Sequence, residues 1–79
     1  MTDASIHHQI TELVEQEHQL RATLAAGGSD EERAALQHVE QSLDQCWDLL
    51  RQRDARRDVG ANPDEAKARP VSEVEGYLQ

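Results

Sequence analysis

The sequence predicts an all-α fold: an antiparallel two-helix hairpin, coiled-coil-like, with a short C-terminal helical or extended tail. Three observations predict it. Apolar residues recur at spacings of three and four along two long stretches, a Gly27-Gly28 break separates the stretches, and the two stripes match when one is folded back on the other. Composition agrees, since Ala, Glu, Leu and Arg are abundant, Phe is absent and β-branched residues are few.

The first helix is predicted over about residues 3–26, with the stripe Ile6, Ile10, Leu13, Val14, Leu20, Leu24 and no Pro or Gly inside it. After the glycine pair, Ser29-Asp30-Glu31-Glu32 reads as a capping box, with the Ser29 hydroxyl taking the Glu32 amide and Glu32 reaching back. The second helix then runs over about 30–58. Its stripe is Leu36, Val39, Leu43, Cys46, Leu50, flanked by Trp47 and Leu49, and Gly60 supplies a stop.

A tight connection makes the helices antiparallel neighbours, so facing residues share a constant index sum. A sum of 56 pairs Ile6 with Leu50, Ile10 with Cys46, Leu13 with Leu43 and Leu20 with Leu36, while Glu17 faces Val39 and Asp3 faces Arg53. Residues 1–60 thus form the hairpin and residues 61–79 a C-terminal docking tail. In the tail, Asn62-Pro63-Asp64-Glu65 reads as a cap, a proline at the first helical position and acids in the first turn, with Arg69-Pro70 as a stop. Val71, Val74 and Leu78 then recur at amphipathic spacing.

The 79 residues leave room for one small domain and exclude most self-contained enzymes, which need a concave site on a larger scaffold. A net charge of −8 opposes generic binding to nucleic acid or anionic membranes. All of that charge resides in residues 1–50, and residues 51–79 balance. Leu, Ile and Val make up only about a fifth of the chain, near the composition of disordered sequences, so order must come from pattern or partners. No apolar run approaches the roughly 18 residues of a membrane span, and the first ten residues have no leader pattern. With Cys46 as the single cysteine, no internal disulfide or Cys-pair zinc site can form, and a soluble cytoplasmic protein without metal or cofactor is expected.

Few residues offer chemistry. Glu15 and His18 have the Glu-x-x-His spacing of bundle metal sites, but the register puts both on the solvent side. His7 and His8 are adjacent, about 100° apart on a helix, and cannot chelate as a pair. His38 lies beside the layer of Glu17, where a contact between them competes with a plain surface role. Cys46 faces Ile10 in the seam, where a thiol behaves as a small apolar group with a raised pKa. Asp30, Glu31 and Glu32 make an acidic hairpin tip, which suits a helix N-terminus and also resembles in architecture the coiled-coil fingers that transcription-cleavage factors insert into RNA polymerase.

The basic cluster Arg51, Arg53, Arg56, Arg57 has two readings. Local pairing joins Asp48 with Arg51, Asp54 with Arg57 and Asp3 with Arg53; alternatively the cluster docks an acidic partner or an RNA phosphate run. Trp47 falls on the flank beside Val14, outside the seam, so a lone hairpin leaves its ring partly wet. Two coverings fit it: the tail, through Val74, Tyr77 and Leu78, or a second hairpin completing a four-helix arrangement.

The string Leu43-Asp44-Gln45-Cys46-Trp47-Asp48-Leu49-Leu50-Arg51-Gln52-Arg53, followed by Ala55-Arg56-Arg57, Asn62-Pro63-Asp64-Glu65-Ala66, Arg69-Pro70 and Val74-Glu75-Gly76-Tyr77, resembles a family of small, single-domain actinobacterial proteins catalogued only as a domain of unknown function. The likeness extends to Glu17-His18 and Leu20-Arg21 of helix one and covers nearly the whole chain. It implies a stand-alone cytoplasmic protein and supplies no catalytic or ligand residue.

The sequence therefore reads as a non-enzymatic helical protein-interaction module that forms a homodimer and meets a further protein partner. The expected surface comprises Val14, Trp47, Arg51, Arg53, Arg56, Arg57, Val74, Tyr77 and Leu78. The alternative is an accessory factor held on the transcription or translation machinery through its acidic tip or Arg cluster.

Overall fold

Thr2 and Ser5 start the first helix. The Thr2 hydroxyl accepts the Ser5 amide at 3.1 Å and the Ser5 hydroxyl oxygen accepts the Thr2 amide at 3.1 Å, a reciprocal cap that satisfies two of the donors a helix start leaves open. A computed structural model describes the backbone of residues 2–78 and the side chains of residues 2–74. Helix α1 spans Asp3–Ala25, α2 spans Asp30–Asp58, a short 3₁₀ turn covers Pro63–Glu65, and α3 spans Val71–Leu78. Among the described residues there is no strand, and no helix is long and apolar enough to cross a membrane.

The turn between α1 and α2 depends on Gly27, whose φ of +95° lies in the left-handed region. At the start of α2 the Ser29 hydroxyl accepts the Glu32 amide at 3.2 Å and Glu32 Oε1 accepts the Ser29 amide at 2.9 Å. The end of α2 is closed by a Schellman motif around Gly60 at φ +74°. The Ala61 amide reaches the Arg56 carbonyl at 2.7 Å and the Gly60 amide the Arg57 carbonyl at 3.1 Å.

The two long helices pack antiparallel, with Asp3 against Arg53 and His7 against Trp47 toward the open end and Arg21 against Glu40 toward the tip. Ile6, Ile10, Val39, Leu43, Cys46, Leu49 and Leu50 form one buried cluster, with Leu13, Val14, Leu20 and Ala66 packed against it. Ile6 is wholly inaccessible. Farther toward the tip, Leu20, Leu24 and Leu36 are only half-buried, so the better-packed part of the hairpin is its open end, where a third element is available. That element is the tail. It returns along α2, and Val74 is 1% exposed. Burying an isolated pair of helices rarely repays the ordering of their chain; here the tail adds cover where the apolar stripe is densest.

Candidate functional site

At 100° per residue, α2 presents three faces. One carries Val39, Leu43, Cys46, Leu50 and Arg53 toward α1. A second carries Gln45, Asp48, Leu49 and Gln52 toward the tail, and a third carries Glu40, Asp44, Trp47, Arg51 and Asp54.

The tail is held on the second face by a set of polar contacts, with Val74 buried and Ala66 packed against the core. Gln45 Nε2 donates to the Arg69 carbonyl at 3.1 Å, and Gln52 Nε2 donates to the Lys67 carbonyl at 2.9 Å and to Asp48 Oδ2 at 3.0 Å. Arg69 Nε donates to Asp48 Oδ2 at 2.9 Å, while its Nη2 donates to Asp48 Oδ1. Asp48 is 1% exposed. Its carboxyl is held below the ordinary 3.8 by the Arg69 hydrogen bonds, against the opposing effect of burial. The sequence-level pairing of Asp48 with Arg51 is therefore replaced by a pairing with Arg69, because a bidentate guanidinium compensates a buried carboxylate better than a solvated one three residues away.

The basic cluster is largely consumed by the same architecture. Arg53 is buried, and its Nε donates to Asp3 Oδ1 at 2.5 Å as the register predicts. Its Nη1 donates to Asp64 Oδ1 at 3.0 Å and to the Pro63 carbonyl at 3.2 Å. One guanidinium thus ties together the start of α1, the end of α2 and the 3₁₀ turn. Asp3 is held below its ordinary pKa by hydrogen bonds first from Arg53 and then from Arg57. Arg57 bridges Asp3 and Asp54, each at 2.5 Å, and Arg56 reaches Glu65 at 3.5 Å. Among the described residues, Arg51 is the one arginine without an ion pair.

Trp47 lies on the third face and is 44% exposed. Its ring meets that of His7 edge-on, with centroids 6.2 Å apart and planes at 77°. Val14, half-buried, packs against the core cluster. The polar contacts of the tail with α2 fall on Gln45, Asp48, Gln52, Arg53 and Arg56 and not on Trp47, and Val74 is spent within the chain. The expected contributions of Tyr77 and Leu78 lie outside the described side chains.

With this geometry in place, comparison with known proteins decides the family. The family model described as "Protein of unknown function (DUF2630)" matches residues 2–79. This chain belongs to that family. Uncharacterised proteins of Mycobacterium tuberculosis and of Mycobacterium bovis are each 50% identical to it over 78 residues, covering 96% of this chain and 90% of the relative. No solved structure matches. The family match spans all three faces of α2 and the tail that occupies one of them.

Cys46 is buried, and desolvation raises its thiol above the ordinary 9.0. It borders a hollow of about 190 Å³ together with Gln9, Ser42, Gln45, Leu49 and Ala68, and this lining offers the sulfur no carboxylate or imidazole base. A second hollow, about 270 Å³, lies between α2 and the tail beside Asp48, Arg51, Gln52, Ala55 and Arg69. Among the described residues no group of three or more His, Cys, Asp or Glu side chains is placed to hold a metal ion. Glu15 and His18 are exposed on α1. Glu17 pairs with Arg21 at 3.4 Å, and Arg21 also reaches Glu40 across the hairpin at 3.1 Å. At the tip, Asp30 pairs with Arg33 at 2.5 Å and Glu32 is spent in the capping box.

Sequence reasoning missed Asp48, Gln45, Gln52 and Arg69 as the seat of the tail. One signal was available: these three α2 residues share a helical face with Leu49, an apolar residue outside the hairpin seam, which marks a second buried face.

Proposed function

We propose that this protein is a non-enzymatic, cytoplasmic helical interaction module that associates with a second copy of itself through the Trp47 flank. The carrying observation is the exposure of Trp47, at 44%, on the face of α2 that the tail leaves open. A large aromatic ring half in water beside His7 is the kind of residue that anchors protein interfaces. Arg53, Arg56 and Arg57 are engaged by Asp3, Asp64, Glu65 and Asp54, which counts against the alternative of a phosphate-docking cluster on the transcription or translation machinery. The acidic tip is likewise accounted for by helix capping and the Asp30–Arg33 pair.

Sedimentation equilibrium tests the reading. The wild-type chain of 8.9 kDa is expected to sediment at twice its mass at micromolar concentration, and Trp47→Ala as a folded monomer. Because Trp47 is the single tryptophan, its fluorescence should shift to the blue as concentration rises through the dimer range. A wild-type protein that remains monomeric with an unshifted emission overturns the proposal.

A further inference from the structure

We infer that the second copy lies antiparallel along α2, crossing at Trp47, so that Asp44 of each copy meets Arg51 of the other; this inference rests on the self-association proposed above. Asp44 lies three residues before Trp47 and Arg51 four after it, on the same face. Neither forms an ion pair within its own chain among the described residues, although six other arginines do. An acid and a base placed about one turn either side of a central aromatic form a self-complementary pattern under a two-fold axis perpendicular to the helix.

The register follows by arithmetic. A two-fold axis midway between Asp44 and Arg51 gives α2 facing α2 an index sum of 95. The two central layers therefore join Asp44 to Arg51, while Glu40 comes within one residue of Asp54 at either end of that face, where both acids are near solvent and weakly coupled. A parallel copy in register would instead set Asp44 against Asp44 and Arg51 against Arg51, which is repulsive at both layers. Trp47 and Arg51 are both exposed, with Arg51 at the edge of the hollow between α2 and the tail. The overlap spans residues 37–58, leaving both hairpin tips projecting, so the dimer should be about 65 Å long at 1.5 Å per residue, against 49 Å for one chain.

Charge exchange provides the test. Asp44→Lys and Arg51→Glu are made separately, with circular dichroism confirming that each variant remains helical. Each alone should dimerise about tenfold or more weakly than wild type, since like charges then face each other twice. An equimolar mixture should recover wild-type affinity as a heterodimer, because both layers again join opposite charges. Asp44→Lys also brings the net charge of −8 nearer zero, so its weaker association cannot come from overall repulsion. If the wild type dimerises but both variants dimerise equally well, or the mixture fails to recover, the register is wrong and self-association stands. If the wild type does not dimerise, both fall.

Discussion

Asp48 and Arg69 lie 21 residues apart in sequence and form a two-point carboxylate–guanidinium pair, with Arg69 Nε 2.9 Å from Asp48 Oδ2 and Nη2 on Oδ1. The acid belongs to the middle of α2 and the base to the segment just before Pro70, so this pair fastens the tail to the hairpin. Arg53, bound to both Asp3 and Asp64, is a second fastening nearer the open end.

Replacing Asp48 with Ala should loosen the tail. The substitution takes two acceptors from Arg69, whose side chain is 30% exposed and also reaches Glu73 at 3.5 Å, and it strips Gln52 of one acceptor. We expect a loss of about 2 kcal/mol, below the full cost of orphaning a wholly buried charge. Chemical denaturation measures the loss, and hydrogen exchange should show α3 amides exchanging faster while those of α1 are little changed. Unaltered protection in α3 would refute the fastening role.

Stability should fall in acid. Asp3 and Asp48 both titrate below the ordinary 3.8 in the folded chain, so in acid the unfolded chain binds more protons and is favoured. The stabilisation is present above that ordinary value and disappears as pH falls through the depressed folded pKa values. Urea midpoints should therefore change little near neutrality and drop once pH passes below about 4. In Asp48→Asn the drop should be smaller. A wild-type midpoint that is level between pH 5 and the acid limit would count against both pairs.

Core and flank substitutions should separate. Ile6 has no exposure, and Ile6→Ala should cost about 3 kcal/mol through lost burial and the cavity left behind. Trp47→Ala should cost the monomer less, because its ring is already half in water, and should act mainly on association. Comparing thermal midpoints at high and low protein concentration distinguishes the two effects: only the Trp47 variant should lose the concentration dependence.

Cys46 should react slowly with thiol reagents. Burial both shields the sulfur and raises its pKa, which lowers the thiolate fraction at neutral pH. Ala68, on the tail, borders the same hollow, so Asp48→Ala should accelerate labelling by letting this segment move away. Labelling of the native protein at the rate of a free thiol would contradict the burial.

Much of the fold was legible in the sequence because periodicity is a local property. Apolar spacing, Gly27, the Ser29 capping box and Gly60 each act within a few residues, and the index sum of 56 needs only the two stripes. It correctly placed Asp3 against Arg53, across 50 residues. The candidate surface was legible only in part. Trp47 is exposed, whereas Val14 packs against the core and Arg53 and Val74 are interior groups of the folded chain.

By itself the sequence determined the two helices, their antiparallel packing and the apolar seam they share, since an apolar stripe is buried only against another. Tertiary structure alone decided which flank of α2 the tail would occupy. The connector from Ala61 to Pro70 carries no strong periodicity, and its path depends on where buried polar groups find partners: Asp48 with Arg69, Gln45 and Gln52 with backbone carbonyls, Arg53 with Asp64. Those partners are chosen by geometry in three dimensions. Their choice covers one flank of α2 and leaves the Trp47 ring 44% exposed.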